Sequence, residues 1–163
     1  MCQVIKQTHH SSEKLKALRQ QTHAWCVVCG AVNPMGLKID FSLKPDGSVE
    51  GVFAGSAVLQ GYDGLLHGGV IAALLDGAMT NCLFAHDRVA VTAELTVRYH
   101  EPAQARNPVM VRAWLGQSSM GLHQLRAELT QNGCVKAVAN AKFMGKPGHP
   151  AKAPVQPGEK TPT

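Results

Sequence analysis

Apolar and polar positions alternate in several stretches of this chain and merge into one long apolar run in another. Leu37-Lys38-Ile39-Asp40-Phe41-Ser42-Leu43 alternates strictly, as a half-buried strand does. Pro45-Asp46-Gly47 marks a turn, and residues 49–53 return as the partner strand. Residues 66–84 are apolar at nearly every position and read as a helix. Further strands are expected over 89–99, 108–115, 122–131 and 135–143, with Asn132-Gly133 as a hairpin turn between the last two. Two strands, one helix and four strands exclude a doubly wound parallel sheet, which alternates strands with helices. One long antiparallel sheet curled around a single helix satisfies the order, and that helix should be apolar nearly all round.

The ends differ from this body. Residues 1–24 are polar, with a short helix expected from Ser11 or Ser12 as N-cap and using Leu15 and Leu18. Residues 146–163 carry five prolines among lysines and glycines and read as a disordered tail. The expected organisation is therefore a polar segment over 1–24, a folded domain over 25–145 and a tail over 146–163.

Composition narrows the function. The 163 residues are 45% hydrophobic, enough for one domain with a real core. The formal charge of +5 suggests nucleic acid until it is located. Residues 1–24 hold +3 and 145–163 hold +2, while 25–144 balance nine basic against nine acidic residues. Only 5% of residues are aromatic, too few for a base-stacking surface, so no nucleic-acid partner is expected. The five cysteines form an odd set without framework spacing, and no basic-then-apolar leader is visible. These features point to free thiols in the cytoplasm. The apolar run from Leu65 to Ala85 contains His67, Asp76 and Asn81, which argues for a buried helix over a membrane span.

That helix also carries the candidate chemistry. Gly68-Gly69 leave its first turn without side chains, so its unpaired N–H groups can approach a ligand oxygen. The same pair equally suits tight packing of the helix start against the sheet. Asp76 lies two turns further on, where a carboxylate needs a partner or a cavity. Ala72, Ala73, Asp76 and Thr80 share one stripe by helical spacing. A hydrogen bond from a neighbouring backbone group or from Thr80 would make Asp76 structural; a facing carbonyl or water would make it catalytic. His67 fits three roles: a base, a satisfied structural histidine, or a residue that shapes the first turn.

Leu66-His67-Gly68-Gly69 with Leu74-Leu75-Asp76 resembles the helix signature of hotdog-fold acyl-CoA thioesterases of the phenylacetate-degradation (PaaI-like) group. Gln60-Gly61-Tyr62-Asp63-Gly64 is similar to the loop before that helix, and Thr92 to Pro102 to the strand after it. Cys26-Val27-Val28-Cys29-Gly30 with Asn33-Pro34-Met35-Gly36-Leu37 resembles an upstream segment of many members. The resemblance spans about residues 25–145 and implies an α+β hotdog fold whose active sites lie between subunits of a homodimer or dimer of dimers. It implies hydrolysis of an acyl-CoA thioester to free acid and CoA, with CoA as part of the substrate and no cofactor. Gly68 N–H would polarise the carbonyl, His67 would position its turn, and Asp76 of the other subunit would act as base or nucleophile. Thr92 matches a position that orients water or the carboxylate. Gln60, Gly69, Met79 and Thr80 are the candidate substrate contacts. The chain departs from the family at Arg106-Asn107-Pro108 and at Met120-Gly121-Leu122-His123, so no arginine is assigned to the CoA phosphates.

Two other functions fit such a fold: a non-catalytic acyl-CoA-binding or regulatory module, and a hotdog hydratase or dehydratase. The first has no need of a buried acid, and the second pairs a His with an acid in segments not found here. His23-x-x-Cys26-x-x-Cys29 has the spacing of part of a zinc site, with only Cys2, His9 or His10 nearby in sequence to complete it. No metal is expected, and the cysteines are read as packing thiols.

Overall fold

The computed structural model describes residues 2–145, with side chains from Ser12 onward. The proline-rich tail expected beyond Gly145 lies outside the described residues. Helix α1 spans Cys2–Thr22, followed by strands β1 (Phe41–Leu43) and β2 (Val49–Phe53) and a short 3-10 turn. Helix α2 spans Gly68–Ala85, and strands β3 (Val91–Tyr99), β4 (Val109–Ser119), β5 (Leu122–Gln131) and β6 (Cys134–Met144) complete the chain. All six strands form one antiparallel sheet in the order β1-β2-β4-β5-β6-β3. The sheet curls around α2, which is the hotdog arrangement.

The hairpin expected at Asn132-Gly133 is present, both residues adopting positive φ (53° and 77°) as the two-residue turn requires. Inward positions of β4, β5 and β6 alternate cleanly: Val109, Val111 and Ala113, then Leu125, Ala127 and Leu129, then Ala137, Ala139 and Phe143 are buried. Four of these nine positions are alanine, which leaves room for α2 against the sheet.

Three expectations need correction. First, α1 starts at Cys2, so Ser11 and Ser12 lie inside it and neither is its N-cap. Residues 2–11 contain no Gly or Pro to stop the helix there. Leu15 and Leu18 do bury into the core as expected. Second, residues 37–40 are not strand, although Ile39 and Phe41 are buried as their alternation requires. The N–H groups of Leu37 and Ile39 bond to Val27 and Val28 carbonyls, and Lys38 takes a left-handed φ of 56° that a ladder cannot accommodate. Third, α2 is enclosed only over its second half. Every residue from Gly77 to Ala85 is buried, whereas Gly69, Ala72, Ala73 and Asp76 leave a partly open strip along the first half.

That strip lies beside β3, the edge strand of the sheet. No residue of β3 is buried, and Val91 and Tyr99 are 72% and 50% exposed. Among the described residues α2 is the one helix long and apolar enough to cross a bilayer, and two thirds of it is buried within this fold.

Candidate active site

Helix α2 begins at a crowded turn. Gly61 N–H bonds to Leu65 O, Leu65 N–H to Tyr62 O, and His67 N–H to Leu59 O, which folds the loop back on itself before the helix. Gln60 reinforces it, its Oε1 accepting the Gly64 N–H at 2.8 Å. Gln60 is thus a loop fastener at the mouth of the helix. His67 is the N-cap, in extended backbone, and its Nδ1 accepts the Gly69 N–H at 2.8 Å. An accepting Nδ1 places the ring proton of the neutral imidazole on Nε2. Of the three roles open to His67, the geometry selects the one that shapes the turn.

This cap separates the two glycines. Gly69 N–H is taken by His67, and Val70 and Ile71 N–H groups both bond to His67 O. Gly68 N–H is the one first-turn donor with no partner among the described residues, and it stands at the positive end of the helix. Behind it, Tyr99 Oη donates to Gly68 O at 2.8 Å from the end of β3. Tyr99 was not among the candidate residues; the signal for it is its place as the last inward member of the series Leu95, Val97, Tyr99.

Asp76 is half-buried on the open strip, and its partner is not Thr80 but Thr92, whose Oγ1 donates to Oδ1 at 2.7 Å. A register shift in β3 makes this contact possible. Thr92 pairs with Phe143 and Glu94 with Lys142, leaving Ala93 as the extra residue of a bulge. Strict alternation would put Thr92 on the same outer face as Glu94, which there bonds Lys142 at 2.7 Å. The bulge turns Thr92 inward onto α2.

Burial holds the Asp76 carboxyl above the usual carboxylate range, and the charge of Cys26 pushes the same way. The Thr92 hydrogen bond and His23 oppose them. A half-buried carboxylate with one hydroxyl donor and a raised pKa is suited to take a proton or attack a carbonyl. Met79 and Thr80 do not join it. Met79 is fully buried in the core, and Thr80, one turn beyond Asp76, is 6% exposed in the enclosed second half of the helix. An open depression of about 470 Å³ lies elsewhere, on the outer face of the sheet between Trp114, Arg126 and Asn140, and includes none of the candidate residues.

A further group of side chains sits close to Asp76. The turn over residues 23–30 packs on α2 at Gly77, where an added Cβ would lie 2.6 Å from Val28 Cγ1. Cys26 holds its thiol below the ordinary range, chiefly because the Cys29 thiol and the His23 ring lie against it, with backbone N–H groups of Cys29 and Val28 adding to them. The same contact and burial push Cys29 up.

Residues 63–144 match the family described as the thioesterase superfamily. The chain belongs to the thioesterase superfamily. It is 29% identical to the acyl-coenzyme A thioesterase THEM4 of Rattus norvegicus over 110 residues, 67% of this chain and 47% of that protein. To the THEM4 of Mus musculus it is 31% identical over 83 residues, 49% of this chain and 36% of the other. The chain thus spans about half or less of the curated relatives it matches. Among solved structures, a thioesterase superfamily protein superposes with a TM-score of 0.71 at 25% identity, covering 74% of this chain and 60% of the other. The PaaI protein of the E. coli phenylacetic acid degradation operon shares the fold, with a TM-score of 0.68 at 16% identity over 84% of this chain and 94% of that one.

Proposed function

We propose that this member of the superfamily hydrolyses acyl-CoA thioesters, with Gly68 as oxyanion donor and Asp76 as general base or nucleophile. The observation that carries the reading is the pairing of one unpartnered N–H at a helix N-terminus with one half-buried carboxylate on the same open strip. Hydrolysis needs those two things: a donor aimed where the carbonyl oxygen becomes negative, and a group that delivers water or attacks. As base, Asp76 would take a proton from water as its oxygen bonds to the thioester carbon. The tetrahedral oxyanion would rest on Gly68 N–H, and the C–S bond would break to release CoA thiolate. As nucleophile, Asp76 would form a mixed anhydride by the same displacement, and water would then cleave it. Thr92 would hold the carboxylate in either course.

Within one chain these groups cannot serve the same carbonyl. Eight residues at 1.5 Å rise separate them by about 12 Å along α2, and both must lie within about 3 Å of the reacting atoms. A second copy related by a twofold axis would bring Asp76 of one chain to Gly68 of the other. The nine-residue edge β3 supplies the surface for that pairing, since its unpaired N–H and C=O groups run beside the open strip. We read the functional unit as a homodimer, alone or in a dimer of dimers, with acyl-CoA as its small-molecule partner.

The direct test is thiol release from a panel of acyl-CoAs of different chain length and aromaticity, with light scattering on the same preparation. Cleavage of at least one member by a dimer or larger species is expected. No cleavage of any of them, or full activity in a monomer, would overturn the reading.

The pH dependence gives a second test. Asp76 acts as its anion, so activity falls as pH drops through its pKa, and the acid limb of kcat/KM should lie above the value near 3.9 of an ordinary aspartate. Thr92→Val removes the hydroxyl that opposes burial. The limb should then move to higher pH and the plateau rate fall about tenfold. A limb that stays in place in Thr92→Val would show that this hydroxyl does not act on the essential group.

A further inference from the structure

His23, Cys26 and Cys29 take no part in the proposed hydrolysis, yet the fold gathers them. Helix α1 ends at Thr22 and the chain turns at once, with Cys26 N–H bonding to His23 O at 3.0 Å and Gly30 N–H to Cys26 O at 2.9 Å. A ring nitrogen of His23 and the Sγ atoms of Cys26 and Cys29 then lie within 4.8 Å of one another. Two thiolates on a tetrahedral zinc at about 2.3 Å stand roughly 3.8 Å apart, so small side-chain adjustments close the gap.

The surroundings are built for sulfur ligands. Cys26 Sγ accepts the Val28 N–H at 3.4 Å. Cys29 Sγ accepts Asn81 Nδ2 at 3.4 Å, and Asn81, wholly buried in α2, is held by the Gly77 carbonyl at 2.8 Å. Donors of this kind orient and stabilise metal-bound thiolates. Gly30 makes the turn possible: a Cβ there would meet Cys26 N and O at 2.5 Å and Ala24 O at 2.6 Å. The His23 ring is fixed edge-on against Phe84, centroids 4.9 Å apart, and its buried Nδ1 has no hydrogen-bond partner. A buried ring nitrogen without a partner is costly for a merely packed histidine.

We propose that His23, Cys26 and Cys29 form a binding site for a thiophilic divalent cation, Zn²⁺, with three ligands from this chain. No fourth His, Cys or carboxylate joins them among the described residues. Because α1 is continuous, the backbones of Cys2, His9 and His10 lie roughly 20–30 Å from His23 along its axis. The fourth position therefore falls to solvent or an external ligand. The ion would pin the turn over residues 23–30 to α2 beside Asp76, without being needed for the hydrolysis proposed above.

The test uses the full chain, reduced and stripped with a chelator, then titrated with Co²⁺. Thiolate-to-cobalt charge-transfer absorption saturating at about one equivalent per chain, and displaced by Zn²⁺, is expected. Cys26→Ser, at a half-exposed position, should abolish the band while keeping the native circular dichroism. His23→Ala should abolish saturable binding, and Cys134→Ser, remote from the cluster, should leave it intact. Zn²⁺ should also raise the Tm of the wild type but not of Cys26→Ser. Absence of the band in reduced wild type, or an unchanged band in Cys26→Ser, would overturn the site. Neither readout depends on thioester cleavage, so this result and that of the activity assay stand apart.

Discussion

Asp76→Asn is expected to lower kcat for thioester hydrolysis by about 10²- to 10⁴-fold, the range for loss of a positioned acid–base group. Asparagine keeps the size of the side chain and an oxygen to accept the Thr92 hydroxyl, so the loss would be of charge and basicity alone. The same variant should melt higher than the wild type. Burial raises the folded-state pKa of Asp76, so the folded protein disfavours the anion that exists at neutral pH. That destabilising contribution is present above the raised pKa, vanishes as pH falls below the unfolded value, and is removed by asparagine. Thiol release and thermal melting of one preparation check both halves. A variant that hydrolyses at the wild-type rate would remove Asp76 from the chemistry.

Gly68→Pro should cost about 10²- to 10³-fold in kcat, the effect of deleting one oxyanion donor. Proline is normally a poor choice in a helix, but here each local requirement favours it. Position 68 is the first helical residue, where proline is well tolerated and the missing N–H bonds nothing among the described residues. His67 already has φ −62° and ψ 134°, the conformation a residue before proline prefers. The nearest atoms to an added Cβ belong to the Tyr99 ring at 3.6 Å, an ordinary contact. Stability should therefore stay within about 1 kcal/mol of the wild type while turnover collapses. Unchanged kcat in a folded Gly68→Pro would exclude this N–H as the oxyanion donor.

Much of this arrangement was legible in the residues themselves. The apolar run of α2, the Asn132-Gly133 turn and the inward alternation of β4 to β6 follow from patterning, because one buried face leaves a period of two in any strand. Asp76 stood out because a carboxylate inside such a run needs a reason. Its partner could not be read from alternation; only the resemblance, which puts Thr92 where a hydroxyl orients water or the carboxylate, pointed to it. Residues 91–99 alternate with Val, Ala, Leu, Val and Tyr in phase, which puts Thr92 outward, and only the bulge at Ala93 reverses it. A bulge depends on how two strands register, not on either strand alone. The turn-shaping role of His67 was among the three open to it and the one the resemblance implied, but which first-turn N–H stays free was hidden, since one ring nitrogen decides it. Lys38 shows the opposite failure: burial at Ile39 and Phe41 matched the alternation, but the turn at residues 26–30 took the hydrogen bonds a strand would have used. The spacing of His23, Cys26 and Cys29 was visible, whereas their convergence depends on α1 ending at Thr22 and on Gly30 letting the chain fold over Cys26.

The central claim is that one functional site takes Gly68 from one chain and Asp76 from another. It is tested by co-expressing Gly68→Pro and Asp76→Asn chains with different tags and purifying the heterodimer through both. Each parent alone should be nearly inactive. The heterodimer holds one site with both lesions and one with neither, so it should recover about half of the wild-type rate per dimer. If both groups of a site came from one chain, every site would keep a lesion, and a heterodimer no more active than its parents would contradict the account.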